Sequence, residues 1–224
     1  MIRELVLDTE TTGLNYEDGH RLVEIGIVEL NNHIQTGNYF HYYLNPERDS
    51  DKRAEEIHGL SNSFLRKYKK FEDKAEEFHS FIKDSKLIIH NAQFDLSMLN
   101  NAFKRLGMKQ ISKDQAICTL EMAKKKFPGS KNNLNALCRR FNISLESREK
   151  HGALTDCKLL LEVYIELLGG KQEKLSLMVK QNEDSNLENF TMLNYEKNLV
   201  EVSHEEEIQH QLMLKKISNP IWSK

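Results

Sequence analysis

Leu5-Val6-Leu7-Asp8-Thr9-Glu10-Thr11-Thr12-Gly13-Leu14 is the stretch on which the fold turns. The apolar run from Ile2 to Leu7 reads as a buried strand, and it ends in two carboxylates two positions apart before a glycine-containing turn. Residues two apart on a strand face the same way. Asp8 and Glu10 therefore repel one another unless a cation sits between them. Oxygen ligands of this kind favour Mg²⁺ or Mn²⁺. Two such ions about 3.5–4 Å apart stabilise the attacking and leaving oxygens of a phosphoryl displacement. The plainer reading of the motif alone is a solvated Asp-x-Glu at a strand end.

Outward from this strand, 21–30 and 34–44 are rich in Val, Ile, Tyr and Phe, and Asn31-Asn32 separates them. They are expected to form a hairpin antiparallel to the first strand, ended by Pro46. From Ser61 to Lys83 the spacing of Phe71, Ala75, Phe78 and Ile82 predicts helix, with Ser61 as N-cap. Leu87-Ile88-Ile89 is a second buried strand, leading through His90-Asn91 into a helix over 95–106 that Gly107 ends. Further helices are expected over 120–126, 134–141 and 154–168, the last stopped by Gly169-Gly170. A strand meander followed by β–α alternation implies an α/β fold, a mixed sheet flanked by helices.

Asp95 falls at the start of a helix just after a buried strand, where strand ends converge on one edge of the sheet. N-capping is its ordinary alternative role. His151 and Asp156 are five apart, so on one helix they would lie about 140° apart. Both reach one site only if His151 precedes the helix on a loop, which Gly152 permits. A loop histidine titrates near neutrality and suits a general base. Taken singly, it reads more readily as an ordinary surface histidine.

Together these residues resemble the DEDDh branch of the DnaQ-like exonucleases. The first motif is the opening stretch, the second is His90-Asn91-Ala92-Gln93-Phe94-Asp95-Leu96, and the third is His151-Gly152-Ala153-Leu154-Thr155-Asp156. All three stand in the family's order within the first 170 residues. The resemblance implies a ribonuclease-H-like fold with a mixed five-stranded sheet. It implies two divalent cations, Mg²⁺ or Mn²⁺, held by Asp8, Glu10, Asp95 and Asp156, with His151 deprotonating the attacking water. It further implies substrate contacts from Asp8, Glu10, Thr11, Arg53, His58, Phe94 and Asp156. Thr9, Thr11 and the Gly13 turn would offer backbone donors, and Phe94 a stacking face or a core residue. Many members carry an acid where this chain has Arg53. His58, before Gly59, equally suits the end of a helix.

A narrower resemblance is to the proofreading subunits of bacterial DNA polymerase III. It rests on the run from His151 to Tyr164 with Gly169-Gly170, and on Glu206-Glu207-Ile208-Gln209-His210, Leu214-Lys215-Lys216 and Ile221-Trp222 in the tail. It implies an exonuclease domain over 1–170, a flexible linker over 171–197 and a C-terminal segment over 198–224 that docks on the polymerase catalytic (alpha) subunit. The linker's polar composition and the acid-to-lysine order of 205–216 agree with that division. Lys174-Leu175-Ser176-Leu177-Met178 is similar to a sliding-clamp-binding pentapeptide, departing from it at both ends. The three motifs alone leave open a free-standing exonuclease acting on short RNA, or a tether between polymerase and clamp; the tail favours proofreading.

Composition sets the remaining bounds. The 224 residues carry a net charge of −2, so no global positive field holds nucleic acid. DNA is then bound through a local site or delivered by a partner. Cys118, Cys138 and Cys157 form no C-x-x-C pair, which argues against a zinc site or disulfides and suits a reducing cytoplasm. Early charges at Arg3 and Glu4 argue against a signal peptide, and no stretch has the length to span a bilayer. The basic runs 66–70 and 124–126 read as solvated helix faces, and His20, His33, His41, His79 and His204 receive no role.

Overall fold

The structure is a computed structural model that describes residues 2–146, 148, 150–170 and 203–216. The chain divides into two units, Met1–Ser176 and Leu177–Lys224. In the first, β1 (Arg3–Thr11), β2 (Leu22–Asn31), β3 (Ile34–Tyr43), β4 (Lys86–Ile89) and β5 (Ala116–Cys118) form one sheet in the order β3-β2-β1-β4-β5. The first three strands are antiparallel, whereas β4 and β5 run parallel to β1. The expected mixed five-stranded sheet is present, and its fifth strand is the one that the sequence did not locate. At three half-buried residues, β5 is too short to show a period.

The hairpin turn is made at Asn32 and His33, both with positive φ (49° and 66°). β1 runs from Arg3 to Thr11, so Asp8 and Glu10 are strand residues, as their spacing required. The 61–83 stretch is not one helix. It divides into α2 (Asn62–Leu65), which Ser61 caps through the Phe64 N–H, and α3 (Ala75–Ile82). Between β3 and α2 lies α1 (Lys52–His58), whose single buried residue is His58. α4 (Ala92–Arg105) starts three residues before the expected point, which puts Asp95 inside its first turn. α5 (Thr119–Lys126), α6 (Leu134–Arg140) and α7 (Ala153–Leu168) follow close to expectation.

Strand alternation divides the core between the two faces of the sheet. Leu5 and Leu7 pack with Ile25, Ile27, Phe78, Leu99 and Phe103 on the side of α3 and α4. Val6 packs with Val28, Ile88, Leu137, Leu160 and Val163 on the side of α6 and α7. Asp8 and Glu10 continue the Val6 row and emerge beside the start of α7. The C-terminal ends of β1, β4 and β5 open on one edge, where open α/β sheets bind ligands.

In the second unit, α8 (His204–Leu214) begins at Ser203, which forms a capping box with Glu206. The helix carries the three expected acids in its first turn and is solvent-exposed, including Ile208, Leu212 and Met213. The 171–197 segment, the clamp-like pentapeptide and Ile221-Trp222 lie outside the described residues. Among the described residues, no helix is long and apolar enough to cross a membrane.

Candidate active site

Three elements bring the four acids to one edge. Asp8 and Glu10 come from the end of β1, Asp95 from the first turn of α4 and Asp156 from the first turn of α7. His151 precedes α7 by two residues, with Gly152 extended between them as N-cap. The loop is pinned to α1, because the His151 N–H donates to the Ile57 carbonyl at 3.1 Å. Ligand atoms of Glu10, His151 and Asp156 all lie within 4.8 Å of one another. Asp95 is oriented by Thr9, whose hydroxyl donates to its Oδ1 at 2.7 Å.

The first turn of α7 reaches the sheet because β2 has a glycine beneath it. A Cβ on Gly26 would stand 2.5 Å from backbone atoms of Ala153 and Leu154. Gly26 also pairs with Asp8 across the strands, and its carbonyl accepts from Cys157 Sγ at 3.1 Å. Cys118 is half-buried and Cys138 and Cys157 are buried, all three as free thiols.

The electrostatics are those of crowded like charges. Removal from solvent, then the neighbouring acids Asp156, Glu24 and Asp95, pushes the Glu10 carboxyl up to about 8. Removal from solvent raises Asp95 to about 7 against the hydrogen bond from Thr9. Asp8 is driven well above the carboxylate range by burial and by Asp95, Glu10 and Asp156. An all-oxygen cluster that resists holding its own negative charge fits hard divalent cations. His151 is lowered from its ordinary value by burial and by Arg148. His90 is held neutral, pushed down to about 4 by burial, and hydrogen-bonds Thr119 at the start of α5.

Beside the acids lies a cleft of about 320 Å³ lined by Glu10, Thr11, Gly13, Leu14, Arg53, Ile57, His58 and Phe94. The remaining candidate residues thus line one cleft. The Thr11 hydroxyl donates to the Gly13 carbonyl at 2.7 Å. Phe94 is half-buried, packed on the core and lining the cleft at once. His58 ends α1, where the Leu60 N–H donates to its Nδ1 at 3.0 Å. Its Nε2 is buried without a hydrogen-bond partner among the described residues. Because Nδ1 accepts, the proton resides on Nε2, a donor buried behind the cleft lining.

Other residues at this edge were not singled out. Glu24 is buried opposite Glu10 on β2, and the His41 ring nitrogen lies 2.7 Å from its carboxylate. A lone acid in the apolar run 22–28 was the signal for it. His20 packs over Gly13, where any Cβ would fall within 2.5 Å of its ring, and its Nδ1 lies 3.0 Å from the Thr12 hydroxyl. Arg148 binds Asp156 directly and gave no signal, since 144–150 reads as a solvated polar loop.

Residues 5–164 match the Exonuclease family. The chain is 50% identical to DNA polymerase III subunit epsilon of Rickettsia felis over 189 residues, 83% of this chain and 82% of that one. It is 42% identical to the Escherichia coli subunit epsilon over 177 residues, 75% and 72% of the respective chains. In fold it is similar to the nuclease domain of 3′hExo, a DEDDh family member bound to rAMP. The TM-score is 0.64 at 18% identity, covering 74% of this chain and 91% of that one. Exonuclease X in complex with 5′-overhanging duplex DNA gives 0.59 at 22% identity, covering 74% and 90%. Four acids and a histidine on one sheet edge, in a chain half identical to an epsilon subunit, lead to one assignment: the chain belongs to the Exonuclease family, alongside the DNA polymerase III epsilon subunits.

Proposed function

We propose that this nuclease is the proofreading 3′→5′ exodeoxyribonuclease of a replicative DNA polymerase III. The observation that carries the reading is the grouping of Glu10, His151 and Asp156 within 4.8 Å of one another, coupled through charge to Asp8 and Asp95, with Glu10 lining the 320 Å³ cleft. Asp8, Glu10, Asp95 and Asp156 would hold two divalent cations, Mg²⁺ or Mn²⁺. Bound there, the cations would supply charge stabilisation to the attacking and leaving oxygens. The 3′-terminal nucleotide lies in the cleft, with Phe94 against the base, His58 in the lining and Arg53 near a phosphate. His151 takes a proton from the attacking water. The new P–O bond forms as the P–O3′ bond breaks and the departing O3′ takes up a proton from solvent, releasing a deoxynucleoside 5′-monophosphate and a shortened 3′-hydroxyl end.

Selectivity for mispairs follows from fraying, because an unpaired end costs less to separate from its duplex. With a net charge of −2 the chain has little reach for DNA of its own. Docking on the polymerase alpha subunit would solve this, and 198–224 is the segment we assign to it. The exposed Ile208, Leu212 and Met213 on α8 suit such a contact. Leu175–Met178 is the assigned clamp contact. A primer with a mispaired 3′ end should lose its terminal nucleotide faster than the paired primer, and equal rates would contradict proofreading. The epsilon relatives favour this reading over action on short RNA.

A further inference from the structure

The acid cluster contains one cation that belongs to the chain itself. Arg148, in the loop ahead of α7, donates from Nε to Asp156 Oδ1 at 2.5 Å and from Nη2 to Asp156 Oδ2. The two side chains are 5% and 4% exposed, so the pair lies out of solvent. Nη1 donates to Asn135 Oδ1 of α6, and Nη2 lies 3.0 Å from His151 Nδ1. A guanidinium has donors only. At that contact His151 Nδ1 must accept, so the ring carries its proton on Nε2. One side chain therefore engages both oxygens of Asp156 and the free lone pair of His151.

We propose that Arg148 is an exchangeable counter-ion, which holds Asp156 and His151 while the site carries no divalent cation and yields both when one loads. The inference rests on the two-cation reading above. Acids packed this closely need a countercharge when ionised, and arginine stays charged under all ordinary conditions. A bidentate pair takes up the in-plane directions of both carboxylate oxygens. A cation held by Glu10 and Asp156 would seek the same Asp156 lone pairs and would be repelled by the guanidinium, and its loading would leave the His151 lone pair free to take a proton. The loop backbone need not move for the exchange. The His151 N–H on the Ile57 carbonyl and Lys150 Nζ on the Glu56 carbonyl at 2.8 Å fix it to α1. Only the Arg148 side chain has to swing, and Asn135 is its second anchor.

Two ligands that compete for one set of atoms weaken each other reciprocally, with couplings typically about 5- to 150-fold. Mn²⁺ binding by the full chain, measured by calorimetry after chelation and dialysis, tests this. Arg148→Gln should bind Mn²⁺ about tenfold more tightly than wild type, within that range. Asn135→Ala, which changes no charge and loosens only the anchor, should shift affinity the same way by less. In chelator Arg148→Gln should melt below wild type, and saturating Mn²⁺ should close the gap. A merely structural Arg148 would give weaker Mn²⁺ binding on removal. Unchanged or weaker binding in both variants would overturn the proposal. If Arg148→Gln does not fold in chelator, Asn135→Ala decides alone. Failure of the wild-type chain to bind Mn²⁺ would overturn the two-cation reading and the exchange with it.

Discussion

Gly26 of β2 lies directly beneath Ala153 of α7, so close that a methyl group on Gly26 would stand 2.5 Å from the Ala153 carbonyl carbon. That approach brings the first turn of α7, and Asp156 with it, to the strand that carries Asp8. Gly26→Ala should therefore destabilise the chain by about 1–3 kcal/mol, the usual cost of overpacking. In a strand the same change would otherwise favour folding by reducing unfolded-state freedom. Thermal melts together with excision rates check this. Unchanged stability and rate would mean that the close approach is dispensable.

The raised acids make a signed pH prediction for the cation-free protein. Glu10 and Asp95 have folded-state values of about 8 and about 7, above ordinary carboxylates. Between the ordinary and raised values the folded state binds more protons than the unfolded one, so stability falls as pH rises. In chelator, the melting temperature should drop between about pH 5 and pH 8. Saturating Mg²⁺ should flatten the trend by supplying the missing countercharge. A rising or flat melting profile in chelator would contradict the burial of these acids.

His151→Ala separates base from ligand. As general base, its loss should lower turnover by about 10²- to 10⁴-fold. Calorimetric Mn²⁺ binding should be largely kept. Because a ring nitrogen of His151 lies within 4.8 Å of ligand atoms of Glu10 and Asp156, the alternative is concrete. Loss of Mn²⁺ binding would make His151 a ligand rather than the base.

What could be read from the chain, and what could not, follows from where each signal is written. Asp8 and Glu10 break an apolar strand in plain view, and their two-residue spacing placed them on one face, as found. Gly152 told correctly that His151 must stand ahead of the helix. β5 escaped because three half-buried residues carry no period. The break between α2 and α3 was missed because Phe71, Ala75, Phe78 and Ile82 are buried at helical spacing although Phe71 precedes the helix. Gly26 could have been flagged, since an isolated glycine within a buried strand signals a close backbone approach. Arg148 could not, because nothing in a polar loop tells which of its charges turns inward.

Release of mononucleotides from a 3′-labelled primer by the full chain is the most direct test of a cation-dependent exonuclease centred on the four acids. The wild-type chain with Mg²⁺ or Mn²⁺ should release labelled deoxynucleoside 5′-monophosphate. Asp8→Ala, or chelation of the divalent cation, should abolish the release. Retention of activity in both Asp8→Ala and chelator would contradict the mechanism outright.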